Sequence, residues 1–192
     1  MIAQPTAVLV HGIFDDGAIF APLQSRLTAA GLESKAISMK PPGGWQGIEP
    51  LARQLAAFVG RLNAPKVDLV GFSMGGIVCR YFLQRLDGLE RVRQLVTISS
   101  PHAGTLTGHL MPFGAARQMR TGSKFLGELN SDMHVLEPLK PLSIWSRYDL
   151  TVTPANTAVL PVGLCTEIPV LLHRWMPGDT RVGKAVVDHL SS

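Results

Sequence analysis

Residues 69–83, LVGFSMGGIVCRYFL, place a lone serine between small residues where one pattern gives way to another. An apolar, strand-like run ends at Gly71, and an amphipathic helical pattern begins directly after Ser73. Gly71, Ser73 and Gly75 match the G-x-S-x-G bend, in which a strained strand-to-helix turn exposes a serine hydroxyl and bulky flanking residues would collide with backbone. The amide of Met74 opens the helix, where partial positive charge favours an anion. This stretch therefore predicts a nucleophile and half of an oxyanion hole.

A serine hydroxyl is a weak nucleophile near neutral pH, so it needs a histidine base that is oriented by a carboxylate. His173 is the preferred base because it directly ends the strand-like run IPVLLH, ahead of a loop and the final helix. His11 is expected to hydrogen-bond within the loop after the first strand, and His102 to line the site without acting as its base. The remaining histidines, which are assigned to surface, capping or irregular positions, are His109, His134 and His189.

Asp149 is the preferred acid because it ends the run PLSIWSRYD and opens a polar turn towards the same sheet edge. Asp132 is the reserve candidate. Asp68 lies within the strand that leads to Ser73 and would point away from the reaction. The other acids considered are interpreted as helix caps or solvated charges: Glu137, Asp179 and Asp188.

The loop HGIFDDG, residues 11–17, is expected to supply the second oxyanion donor. The amide of Ile13 is the first choice, with Phe14 as the fallback. Asp15 and Asp16 stand near the predicted entrance. They are interpreted as solvated turn residues, and the alternative is that they disfavour anionic substrates.

Other chemistries find little support in the sequence. Neither a phosphate-binding loop nor a G-x-G-x-x-G fingerprint is present, and no H-E-x-x-H spacing suggests a metal, so no cofactor or metal is predicted. Cys79 and Cys165 are interpreted as two separate thiols. The net charge of +4 is spread along the chain, which argues against a nucleic-acid partner.

The elements that must position these residues alternate between short β-branched runs and longer helical patterns. Such alternation predicts an α/β fold, with a mostly parallel central sheet and helices on both faces. The predicted strands are 6–12, 34–39, 66–72, 93–100, 141–149 and 166–173. The predicted helices are 19–30, 48–62, 74–86 and 181–190.

Residues 101–138 interrupt this rhythm with Gly, Pro and Met, and they form a predicted helical or irregular insertion. This insertion is expected to be a lid or an acyl pocket, the alternative being a packed helical segment. The whole chain, 1–192, is predicted to be one domain. It has no run long enough to span a membrane and no signal-peptide pattern, so we expect a cytoplasmic protein unless a leader has been removed. The oligomeric state is not predicted.

Four stretches together resemble the α/β-hydrolase superfamily, in its lipase and esterase branch, and above all the compact bacterial lipases. They are VLVHGI, LVGFSMGG, ISSPHAGT and SRYDLTVTP. The resemblance implies Ser73 as nucleophile, Asp149 as acid and His173 as base. It also implies Ile13 and Met74 as oxyanion donors. The chain departs from the family pattern in having no glycine beside His173.

The expected function is hydrolysis of carboxylic esters with an apolar acyl chain, through an acyl-enzyme on Ser73. The substrate would be a small-molecule ester or a lipid. Two alternatives remain open at this stage. One is an acyltransferase or amidase that uses the same three residues, and the other is a non-catalytic protein that binds a hydrophobic ligand on the same scaffold.

Overall fold

The computed structural model describes residues 5–192, in which six strands form one sheet and every neighbouring pair runs parallel. The strand order is β2-β1-β3-β4-β5-β6. This confirms the predicted fold class. The strands are β1 (Thr6–Val10), β2 (Ser34–Ile37), β3 (Val67–Phe72), β4 (Val92–Ile98), β5 (Leu142–Trp145) and β6 (Leu164–Glu167).

Helices cover both faces of this sheet because its central strands are apolar on both sides. Successive residues of a strand point to opposite faces. Val8 therefore packs in the core beneath two of the helices, and Leu9 packs in the core on the other face. The first core includes α2 (Ile48–Gly60) and α3 (Met74–Arg85), and the second includes α1 (Ala21–Ala29) and α6 (Thr180–Leu190).

The segment between β4 and β5 carries two short helices, α4 (Gly114–Gln118) and α5 (Lys124–Asn130), and two 3-10 helices, Leu106–Leu110 and Met133–Leu139. Leu126, Leu129 and Leu136 are buried in the same core as α3. Leu106 and Leu110 are exposed instead. The later part of the predicted insertion is thus a packed helical segment, and its beginning carries apolar side chains at the surface.

The last two predicted strands were too long. Strand β5 ends at Trp145, and β6 spans only Leu164–Glu167, so the prediction of a strand over 166–173 is wrong. Pro169 has no N–H to donate to a ladder, and the chain leaves the sheet there. His173 consequently begins a 3-10 helix, His173–Gly178, instead of ending a strand.

Strand β1 lies between β2 and β3, so the connections from β1 and β2 leave the sheet on opposite sides. In parallel α/β sheets, a crevice opens beyond the carboxyl ends of the strands where the order reverses in this way. The loop after β1 and the turn after β3 meet at this crevice. The loop carries the predicted oxyanion donor Ile13, and the turn carries Ser73.

Candidate active site

The turn after β3 holds Ser73 in a conformation that few non-glycine residues adopt, with φ of 53° and ψ of −123°. Its amide donates to the Ile98 carbonyl over 2.8 Å. A Cβ atom on Gly71 would stand 2.5 Å from the Gly76 Cα, and one on Gly75 would stand 2.0 Å from the Val10 carbonyl oxygen. Only glycine fits at both positions, as the G-x-S-x-G pattern requires.

Two backbone amides near Ser73 are free to bind an oxyanion. Met74 is the first residue of α3, so its N–H has no partner within the helix. Within residues 5–192, the Ile13 N–H donates to no carbonyl or side chain, whereas the Phe14 N–H donates to the Pro42 carbonyl over 3.0 Å. These bonds favour Ile13 over the fallback Phe14. Ile13 and Met74 stay the predicted donors.

His11 fixes the loop that presents Ile13. Its Nε2 accepts the Met39 amide over 2.8 Å, so the neutral ring carries its proton on Nδ1, which donates to the Gly12 carbonyl over 2.8 Å. Burial lowers the pKa of His11, which keeps the ring neutral. The expected role of His11, hydrogen bonding within this loop, matches this geometry.

His173 and Asp149 form a close pair, in which the ring Nδ1 donates to Asp149 Oδ2 over 2.6 Å. The other carboxylate oxygen, Oδ1, accepts the amides of Thr151 and Val152, each over 2.9 Å. Burial acts to raise the pKa of Asp149, but the hydrogen bond and charge of His173, together with the two amides, hold it below its usual value. Asp149 is therefore ionised at neutral pH and orients the ring.

Ser73 and His173 line one cavity of about 240 Å³, together with Ile13 and Thr151. The ring of Phe72 lies 4.8 Å from the ring of His173 and supports it from one side. Within residues 5–192, no hydrogen bond joins the Ser73 hydroxyl to the imidazole. Such catalytic bonds often tighten only when substrate binds. The structure thus brings together Ser73, His173 and Ile13 around one cavity, with Asp149 behind the ring.

The alternative residues lie elsewhere. His102 is buried and its Nε2 pairs with the Thr97 hydroxyl over 3.1 Å, so it does not line the cavity as expected. Burial, and then the charge of Arg80, hold the pKa of His102 well below its usual value. Asp132 pairs with Arg85 at the end of α3, and Asp68 pairs with Arg93.

Two charged residues at the cavity were not among the predicted site residues, although Asp15 had been placed near its entrance. Asp15, which was interpreted as a solvated turn residue, lines the cavity and pairs with Arg174 over 3.2 Å. Arg174 directly follows the predicted base, and it also lines the cavity. Asp15 and Arg174 lie far apart in the sequence, so no local pattern predicts their pairing. The only available indication was that each lies beside a residue already assigned to the site.

The parallel sheet, the strained serine turn after β3 and the chain order Ser, Asp, His define the molecule as an α/β-hydrolase of the lipase and esterase branch. A family model described as palmitoyl protein thioesterase matches residues 6–156. The chain belongs to this family.

Solved structures show the same fold. Aspergillus fumigatus lipase B superposes with a TM-score of 0.85 at 16% identity, covering 98% of this chain and 53% of the lipase. The mature Bacillus licheniformis lipase BlEst2 gives 0.79 at 17% identity, covering 98% of this chain and 92% of that one. The monoacylglycerol lipase of Paleococcus ferrophilus gives 0.71 at 17% identity, covering 98% and 96%. The present chain thus spans about half the length of the Aspergillus lipase.

Residues 5–192 contain no group of three or more His, Cys, Asp or Glu side chains placed to hold a metal ion. None of the helices in this part combines the length and apolar character that a bilayer crossing needs.

Proposed function

We propose that the chain hydrolyses carboxylic esters with apolar acyl chains through a covalent acyl-enzyme on Ser73. The observation that carries this proposal is the Asp149–His173 pair, whose ring faces the same cavity as Ser73. With Nδ1 bonded to Asp149, the proton-accepting atom of the neutral ring is Nε2. This is the atom that a serine nucleophile needs from its base.

In the first half of the reaction, His173 Nε2 takes the hydroxyl proton as Ser73 Oγ attacks the ester carbonyl carbon. The carbonyl electron pair moves to oxygen, and the amides of Ile13 and Met74 stabilise the resulting oxyanion. Collapse of the tetrahedral intermediate breaks the bond to the alcohol oxygen, which takes the proton from His173. Water then attacks the acyl-enzyme by the same route and releases the acid.

The sheet edge that carries Ser73 has many exposed apolar side chains, which supports an apolar substrate. Nine large hydrophobic side chains that are exposed belong to segments following the carboxyl ends of strands, which is the edge that carries Ser73. They are Phe14, Trp45, Leu106, Leu110, Tyr148, Leu150, Leu171, Leu172 and Trp175. Phe14 lines the cavity itself, and exposed apolar side chains beside a site are common on binding surfaces.

A second candidate substrate class is an acyl thioester, and the family match favours it. The attack on the carbonyl would be the same, with a thiolate as leaving group in place of an alkoxide. The residues around Ser73 serve both reactions. Transfer of the acyl group to an alcohol or amine would also use them, since the acyl-enzyme is common to all of these reactions.

The proposal is tested by kcat/KM for p-nitrophenyl esters from acetate to palmitate, with palmitoyl-CoA as the thioester. We expect kcat/KM to rise with acyl length, and Ser73→Ala to lower kcat by about 10⁶-fold without loss of the fold. Product analysis with added methanol or an amine separates hydrolysis from acyl transfer. Ser73→Ala protein that retains turnover would refute the assignment, and a preference for acetate would refute the apolar acyl pocket.

A further inference from the structure

Two adjacent carboxylates in the loop after β1 have different environments. Asp16 is exposed, and its Oδ1 accepts the Ala18 amide over 2.8 Å, which caps the 3-10 helix Gly17–Phe20. The side chain of Asp15 is only 10% exposed and lines the cavity of Ser73. The interpretation of both acids as solvated turn residues therefore holds for Asp16 and is wrong for Asp15.

The carboxylate of Asp15 lies close to the nucleophile. A methyl group built on Gly12 would stand 3.0 Å from the Cβ of Ser73 and 3.3 Å from Oδ2 of Asp15. Both side chains thus border the same glycine and line the same cavity. A charge carried by an acyl group on Ser73 would therefore share this cavity with the carboxylate.

The charge of Asp15 is only partly compensated. Burial raises the pKa of this carboxyl, while Arg174 and the rings of His11 and His173 act in the opposite direction. Arg174 is the single ion-pair partner of Asp15 within residues 5–192, and its side chain is 77% exposed. Water screens such an exposed arginine, so it offsets only part of the field that Asp15 exerts inside the cavity.

We propose that Asp15 is a specificity-determining residue that disfavours acyl groups carrying a negative charge and favours neutral or cationic ones. The proposal rests on the esterase function proposed above and adds the charge of the preferred substrate. Two unit charges separated by the length of a short acyl chain, in surroundings of intermediate dielectric constant, interact strongly enough to change relative rates by about 10-fold.

Three p-nitrophenyl esters of equal acyl length test this proposal at pH 8: the hexanoate, the hydrogen adipate and the ester of ω-trimethylammoniohexanoic acid. Their acyl groups end in a methyl, a carboxylate and a cation. Asp15→Asn is expected to raise kcat/KM for the adipate relative to the hexanoate by about 10-fold, and to lower that for the cationic ester by a similar factor. Asp16→Asn is the matched control because asparagine keeps the cap, and it should leave both ratios unchanged.

Arg174→Gln should have the opposite effect to Asp15→Asn. It removes the countercharge of Asp15, so kcat/KM for the adipate relative to the hexanoate should fall below the wild-type ratio. If Asp15→Asn changes all three rates by one factor, its effect is structural and the proposal is wrong. Unchanged ratios would overturn it equally. Failure of the proposed esterase function would look different, because the wild type would then hydrolyse none of the three esters.

Discussion

Asp149 makes three hydrogen bonds that together fix the position of the imidazole. One oxygen accepts the Nδ1 proton of His173, and the other accepts the amides of Thr151 and Val152. The carboxylate cannot rotate without losing all three. The ring is therefore held with Nε2 available to the cavity that contains Ser73.

Replacement of Asp149 by asparagine should lower kcat by about 10⁴-fold, because an amide neither stabilises the imidazolium nor selects the required tautomer. The turnover of p-nitrophenyl hexanoate measures this loss, and circular dichroism checks the fold. Asp132→Asn serves as the control, since Asp132 pairs with Arg85 and does not line the cavity. Asp149→Asn protein with more than a tenth of wild-type kcat would exclude Asp149 as the acid.

Single residues differ in how far the sequence predicts them. Ser73 can be predicted from a local pattern, because the neighbouring glycines indicate a turn in which the backbone leaves no space for side chains. Asp149 and His173 were predicted as the last residues of late strands. Both instead lie beyond the ends of shorter strands, yet they still meet at the predicted sheet edge. The burial of Asp15 was not predicted, and its partner Arg174 lies in a distant part of the chain, so no local pattern indicates their pairing.

Among the elements, the close approach of α3 to β1 positions the serine turn. Gly75, near the start of α3, faces the carbonyl of Val10 so closely that a methyl group has no space. The atoms that such a methyl group would meet belong to the backbone at the end of β1, so it could be accommodated only if this central strand or α3 moved. The helix and the strand are thus locked together where Ser73 and the oxyanion loop meet.

Gly75→Ala should accordingly lower the free energy of unfolding by about 3 kcal/mol or more, through forced displacement of α3 from β1. Gly127→Ala is its matched control. Gly127 lies within α5, and a Cβ there would meet no atom within 4 Å. Alanine should stabilise that helix by about 0.5–1 kcal/mol. Urea unfolding of both variants measures the contrast, and equal effects of the two substitutions would contradict it.

Element types were easier to predict than element ends. The central strands β1, β3 and β4 are predominantly apolar on both faces, so their sequence patterns identify them. The end of β6 depends on Pro169, which stops the ladder while the apolar pattern continues through Leu172. An apolar run outside the sheet looks the same in sequence as a strand.

At the scale of the whole molecule, buried neutral histidines make stability depend on pH. Burial lowers the pKa of His102, His11 and His189, that of His102 most strongly among them. In the unfolded chain these rings take up protons near pH 6.5, whereas in the folded chain they do so only at lower pH. Their unfolded forms thus bind more protons below pH 6.5, and the folded state loses stability as the pH falls.

The wild type should lose unfolding free energy between pH 6.5 and pH 5, and His102→Gln should make this loss smaller by about 2 kcal/mol. This holds whatever the substitution does to stability at neutral pH. Urea unfolding across this pH range measures the slope. His134→Gln is the control, because His134 is exposed. If both variants show the wild-type dependence of unfolding free energy on pH, His102 does not titrate as a buried neutral ring.

The central claim about the molecule is that Ser73 is a nucleophile activated by His173, and covalent labelling tests it most directly. Fluorophosphonate treatment followed by tryptic mass spectrometry would examine residues 67–80, a peptide in which Ser73 carries the only hydroxyl group. We predict one adduct on this peptide, no adduct in Ser73→Ala and much slower labelling in His173→Ala. Folded wild-type protein that remains unlabelled, or that is labelled at another residue, would contradict the claim.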